Sequence, residues 1–377
     1  MRSVTIIIFL TLLFSTSCAS RGEKYPVDIN LSVNEYATNF SIIEEVEGDK
    51  ILRVIENWSG KETIYNYHLV PENELKGREI KENEISVPPA RVVCMSTSHI
   101  AYISALGKVE SIKAVSGAKY VSDSSVIQLF NEGKISDVGF ESSLNYETLI
   151  ALSPDIVFTY GISGENNIYI EKIKALGIKV IAVGDYMENH PLGKAEYLRF
   201  FGALYNCSEM ADSLYTFVRD EYLLTKARAE QFGNKRTILL NAPWKDVWYI
   251  PGEDSYMSRL VQDAGGEVLG GKKGDFHSYP NSIEEVFKLS YNADIWLNPN
   301  NFQSLSELKR SNPLFGKIGV LKKGKVFNNT KRNTALGGSD FWEKGVVEPH
   351  LILKDLINIL HTNDTLSVNL KYFKMLN

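Results

Sequence analysis

From residue 91 the chain alternates short apolar runs with amphipathic helical stretches, suspends that alternation between about residues 191 and 233, and then resumes it. This pattern restricts the fold more than any single motif. Apolar runs at 91–95, 111–115, 155–159 and 179–183 read as strands. Helical stretches follow Ser96-Thr97-Ser98-His99 and cover 144–152 and 168–176, with stop signals at Gly107 and Gly177. Strands that alternate with helices imply a mostly parallel, helix-covered sheet. The second set has strands at 237–241, 247–250, 295–298 and 326–328, and helices over 256–264, 283–289 and 349–360. Between the sets only helical periodicity is present, with Leu198, Phe201, Leu204, Leu214, Phe217, Val218 and Tyr222 as apolar-face candidates. Ser208 is placed to cap a helix reaching Gln231, roughly 36 Å long. The expected fold is α/β: two parallel-sheet lobes joined by a long α-helix, with ligands at the carboxyl ends of the strands.

The text before residue 89 differs. Residues 40–46 and 50–55 flank Gly48-Asp49 as a β-hairpin, and a third strand-like run covers 62–70. At the start, Arg2 leads into an apolar stretch over 4–14 and then into Ser15, Thr16 and Ser17 before Cys18. That is a secretory signal pattern, and its apolar part is about half of the roughly 20 residues a spanning helix needs. It resembles a bacterial lipoprotein signal, with Ser15 where leucine is usual, so Cys18 is the expected lipidation point. The expected divisions are a signal peptide over 1–17, a lipidated tether over 18–35, an N-terminal antiparallel β addition over 36–88, an N-terminal lobe over 89–190, the connecting helix over 191–233, a C-terminal lobe over 234–361 and a surface-wrapping polar tail over 362–377.

With 377 residues, a net charge of −5 and 44% hydrophobic content, the chain has material for two domains and lacks the basic balance of a nucleic-acid binder. The two other cysteines, Cys94 and Cys207, lack metal-ligand spacing and are expected to be free thiols. No His/Cys/Asp/Glu cluster has metal-ligand spacing either, which disfavours a naked ion as ligand.

The two halves echo one another. Asn145-Tyr146-Glu147 opens a helix that ends at Leu152-Ser153 and passes through Asp155-Ile156 into a strand; Ser282-Ile283-Glu284 opens one that ends at Leu289-Ser290 and passes through Asp294-Ile295. Ser282 to Glu285 fits a capping box. Taken singly, Glu147 and Glu284 complement a helix dipole. As a pair, they would present two acids from one rim, suited to arginines of a partner.

Together with Arg91-Val92-Val93, residues 117–120, Asp137-Val138-Gly139, Pro251-Gly252, Ser255-Tyr256, residues 263–266 and Gly324-Lys325-Val326-Phe327, these units make the chain resemble the substrate-binding proteins of ABC importers for metal chelates. Those bind cobalamin, ferric siderophores or haem. The resemblance covers about residues 90–360. It implies a periplasmic or cell-envelope, lipid-anchored monomer that is not an enzyme, has no cofactor of its own and captures a chelate between its lobes. It also implies delivery to an ABC permease with its ATPase, with Glu147 and Glu284 as permease-docking residues. Candidate ligand-binding residues are Tyr120, Phe140, Tyr160, Trp248, His277, Tyr279 and Trp342, with Trp244, Phe276 and Phe341 also on candidate loops; the loop 337–342 would close over the site. His99 or His277 is a candidate axial nitrogen for haem or a corrinoid. The competing expectations are a surface ligand-binding lipoprotein without a permease and a two-lobed enzyme; no dinucleotide, phosphate-loop or nucleophile-elbow motif supports the enzyme.

Overall fold

The β-branched and apolar runs of the first lobe become short, fully buried strands because both faces of their sheet are covered by helices. A computed structural model describes residues 30–32, 34–44, 49–58, 61–160, 167–323, 325–362 and 369–377; the signal peptide, Cys18 and most of the tether lie outside the described residues. The first lobe's sheet runs in the order Val180–Ala182, Ile156–Thr159, Val92–Cys94, Ile112–Val115, Ser136–Asp137, parallel throughout. In the second lobe the order is Gly266–Val268, Arg236–Leu240, Ile295–Leu297, Val326–Asn328, Lys374–Met375. Only the last pairing is antiparallel.

Each lobe fastens its central strand by the aspartate of the echoed unit. Asp155 accepts the Ala90 and Arg91 amides, each at 2.8 Å, while its own amide donates to the Arg91 carbonyl. Asp294 accepts the Thr237 amide at 3.0 Å and donates to the Thr237 carbonyl. Both aspartates therefore tie the start of one strand to the start of its neighbour.

The region between the lobes resolves into three helices, Pro191–Ala195, Tyr197–Leu204 and Ser208–Ala229. Asn206, at φ 51, makes the break before the last. Ala211, Tyr215, Val218, Tyr222 and Ala229 form the buried face of the long helix. Phe217, expected on that face, points outward and is 59% exposed. Cys207 sits at the helix start and Cys94 in a buried strand, both as free thiols.

Two expectations about the margins are corrected. The N-terminal addition is a five-stranded sheet, Asn30–Ser32, Phe40–Glu44, Lys50–Trp58, Lys61–Pro71 and Glu84–Val87, whose last strand pairs in parallel. It shares a core with the first lobe: Phe40 packs on Tyr197 and Phe200 at ring distances of 4.7 and 5.4 Å. Two glutamates hold it, one just before the linking helices and one between the first two. Glu196 accepts the amides of Glu35, Tyr36 and Ala37, and Glu188 those of Thr38 and Asn39. The tail is no surface wrap, because Leu370, Tyr372, Phe373 and Leu376 are buried and its last residues add a strand to the second sheet. Its residues 363–368 lie outside the described residues.

Candidate functional site

In a parallel sheet the loops after the strands gather at one end, and helices return from that end with their N-termini toward it. Tyr120 follows the strand Ile112–Val115, Phe140 follows Ser136–Asp137, and Tyr160 follows Ile156–Thr159. The Tyr120 and Phe140 rings lie 5.9 Å apart, and both are more than a third exposed. The two loops share an organiser that the sequence reading passed over as a functional group. The Asp137 carboxylate accepts the amides of Gly117, Ala118 and Gly139 at 2.8–2.9 Å. Gly117 is required here: at φ +68 it carries no Cβ, and one would lie 2.5 Å from Phe140.

Tyr160 is half-buried, and its hydroxyl donates to Glu141. Burial, this bond and the nearby carboxylate charge all raise its pKa. Tyr186 stands edge-on to Tyr160 at 6.5 Å and is 42% exposed. It was missed, although its place just past the strand at 179–183 carried the signal.

On the second lobe the candidates separate. Trp342 is 48% exposed and lies 6.3 Å from Tyr256, over which the Lys194 ammonium sits at 5.1 Å. Its neighbour Phe341 is 1% exposed and belongs to the core. Trp244 is 64% exposed, with the Lys245 ammonium 4.5 Å above its ring. His277 and Phe276 are exposed and packed together at 4.0 Å; the His277 ring is held by Asp275. Tyr279 is half-buried on the strand Ser278–Ser282, under the Lys272 ammonium at 4.0 Å, with its hydroxyl donating to Gly270.

Two candidates are corrected. Trp248 is fully buried, tilted against Trp296 and edge-on to Phe315, with its indole N–H donating to the Leu240 carbonyl at 2.8 Å. A side chain so enclosed has no face for a ligand. His99 is likewise enclosed, near Phe158 and Phe201, and burial pushes its pKa down to about 4. Its neutral ring fills core and offers no axial nitrogen to the cleft. Among the described residues no group of three His, Cys, Asp or Glu is arranged to hold a metal ion.

Glu147 and Glu284 occupy the same helical position. Each is the second residue of its helix, Tyr146–Leu152 after the cap Asn145 and Ile283–Ser290 after the cap Ser282. Both are exposed. The cap of the second helix is completed by Glu285, whose carboxylate accepts the Ser282 amide, which leaves Glu284 outside the box.

The arrangement is that of a bilobed solute-binding protein: two sheet-containing lobes, joined through helices, whose strand ends carry the aromatic loops. The periplasmic binding protein family matches residues 92–332, more than half of the chain. The chain belongs to that family, whose members bind solutes without catalysis, and is a protein of the periplasm or cell envelope. An uncharacterized lipoprotein of Methanocaldococcus jannaschii is 27% identical, over 90% of this chain and 81% of the relative. Among solved structures, a periplasmic binding protein from Veillonella parvula is 12% identical with a TM-score of 0.58, covering 82% of this chain and 98% of that one. An ABC-type Fe3+-hydroxamate transport protein from Saccharomonospora viridis is 15% identical with a TM-score of 0.55, covering 84% and 99%. At these identities the structures speak to fold alone.

Proposed function

We propose that the protein is the lipid-anchored, substrate-binding component of an ABC importer and that it captures a metal chelate, a ferric siderophore, haem or a corrinoid, between its lobes. The observation that carries the reading is the set of ring pairs beyond the strand ends, each with at least one exposed member: Tyr120 with Phe140, Tyr186 beside Tyr160, and Trp342 beside Tyr256. A large, mostly apolar chelate is held by such surfaces with few polar fixers. Candidate contacts are Tyr120, Phe140, Tyr160, Tyr186, His277, Tyr279 and Trp342. Glu147 and Glu284, on helices that return from the same sheet ends, are placed to meet arginines of the permease, as the resemblance implies. Cys18 supplies the lipid anchor; the M. jannaschii relative, described as a lipoprotein, supports this.

Two measurements test the reading. The absorption spectrum and mass of material bound to the purified protein identify a porphyrin, a corrinoid or a ferric charge-transfer band. Reversing both charges, Glu147→Arg with Glu284→Arg, leaves chelate binding intact and abolishes uptake. Uptake that survives the double reversal overturns the docking role and favours a binding lipoprotein without a permease. A protein that binds none of the three chelate classes overturns the cargo.

A further inference from the structure

One glutamate joins the two sides of the aromatic mouth. Glu343 is 1% exposed, directly follows Trp342, and belongs to the second-lobe segment between the strand Val326–Asn328 and the helix Pro349–His361. Its carboxylate reaches into the first lobe, 221 residues away in sequence, and accepts the Ser122 amide at 2.8 Å through Oε2. Through Oε1 it accepts the Asp123 amide at 2.6 Å. These two amides end the loop that carries Tyr120. The attachment is supported on both sides. Ser122 Oγ donates to Asp340 at 3.4 Å, Arg332 donates to the other Asp340 oxygen, and Ser104 Oγ holds Asp123 at 2.7 Å. Beside it the backbone of the second-lobe loop lies so close to the first that a Cβ on Gly338 would sit 2.8 Å from the carbonyl oxygens of both Tyr120 and Val121.

A carboxylate that accepts two adjacent amides fixes distance and orientation together, which a single bond does not. We propose that Glu343 is the positioning residue of the ligand mouth: it fastens the Tyr120 loop to the Trp342 loop and so sets the separation at which the two lobes present their rings. This rests on the interlobe cleft being the binding site. Its first test requires no ligand.

The full-length protein in detergent is followed by amide hydrogen exchange resolved at Ser122 and Asp123. Glu343→Ala accelerates both amides by about tenfold or more, as expected for loss of hydrogen bonds to a buried carboxyl. The Thr148 amide, capped by Asn145, is unchanged. Glu343→Gln keeps one acceptor oxygen and restores protection at one of the two amides. Gly338→Ala wedges the same loops apart with the carboxylate intact and accelerates both, which decides the matter if Glu343→Ala does not fold. Titration with haemin, cyanocobalamin and a ferric trihydroxamate then separates positioning from general softening. For whichever probe binds, Glu343→Ala raises the dissociation rate by about tenfold and changes the association rate by less than about threefold. Exchange at Ser122 and Asp123 within about twofold of wild type in both Glu343→Ala and Gly338→Ala overturns the clasp. A wild-type protein that binds none of the probes overturns the chelate reading and leaves the exchange result standing.

Discussion

The two lobes use one construction at unequal strength. In the first, Asp155 takes two amides at 2.8 Å and the Arg91 guanidinium at 3.0 Å. In the second, Asp294 takes the Thr237 amide at 3.0 Å, its hydroxyl at 3.2 Å and Arg236 only at 4.0 Å. The stronger lock sits where residues 90 and 91 arrive from the N-terminal sheet, so it fixes the first lobe and the orientation of the added sheet. The lobes also differ at the mouth. The first aims Tyr120 and Phe140 through one carboxylate, Asp137, which binds both loops. The second relies on the antiparallel pair Val247–Pro251 and Ser278–Ser282, whose buried side includes Trp248. Equivalent topology thus leaves the aromatic side chains of the two lobes with different duties.

Exchanging a ring for alanine in each lobe breaks that comparison most forcefully. Trp248→Ala removes a fully buried indole and its hydrogen bond to Leu240. It should cost about 4 kcal/mol in urea denaturation. Tyr120→Ala, at an exposed ring, should cost within about 0.5 kcal/mol while weakening chelate binding. Comparable stability losses for the two would return Trp248 to the list of ligand residues.

The junction between the lobes carries a pH dependence. Burial pushes the Glu343 carboxyl up to about 7 against the opposing pull of the Ser122 and Asp123 amides. The Asp123 charge raises it further, and Asp340, Arg332 and Lys344 line the same pocket. A carboxyl whose pKa is higher folded than unfolded binds more protons in the folded state. Its contribution is therefore full below about 4.5 and is lost as pH rises through 7. The shift corresponds to about 3 kcal/mol. Glu343→Gln should flatten the fall in stability between pH 4.5 and 8 by that order, measured by urea denaturation at each pH. An unchanged slope would place the titration elsewhere, for example at Glu56, which burial also raises to about 7.

Long elements with a clear period were legible from the sequence, and short or tertiary ones were not. The hairpin strands around Asp49 alternate cleanly, and the second lies at Lys50–Trp58. Ser136–Asp137 and Lys374–Met375 are two-residue strands with no periodic signal, set only by the neighbours they pair with. In the tail, Tyr372 and Phe373 are separated from the last helix by a polar stretch, which masked their burial. Glu147 and Glu284 were paired because a helix-to-strand unit, over 145–157 and in a longer form over 282–296, recurs in both halves, whereas Trp248 was misassigned because an aromatic beside a loop reads the same whether it turns in or out. Glu343 was missed for the opposite reason: its partners are backbone amides 221 and 220 residues away, and nothing local marks it.

The smallest effect discriminates best between shared construction and shared strength. Asp155 and Asp294 start equivalent strands, so if topology alone set their value, alanine at either would cost the same. Hydrogen bonds to a charged group contribute about 1.5–3 kcal/mol when buried and less when water competes. Both carboxylates are about one-third exposed, at 30% and 34% of the side chain. Exposure therefore does not separate them, and the count and length of their bonds must. Asp155→Ala releases two short amide bonds and a close guanidinium, and should cost about 2 kcal/mol. Asp294→Ala releases one longer amide bond and a hydroxyl, and should cost about 1 kcal/mol. The two sites share no partner, so the double substitution should cost the sum. Urea midpoints in the single and double variants measure this; a larger loss at Asp294, or a double loss well beyond the sum, would mean that the lobes stabilise one another through these strand ends and not separately.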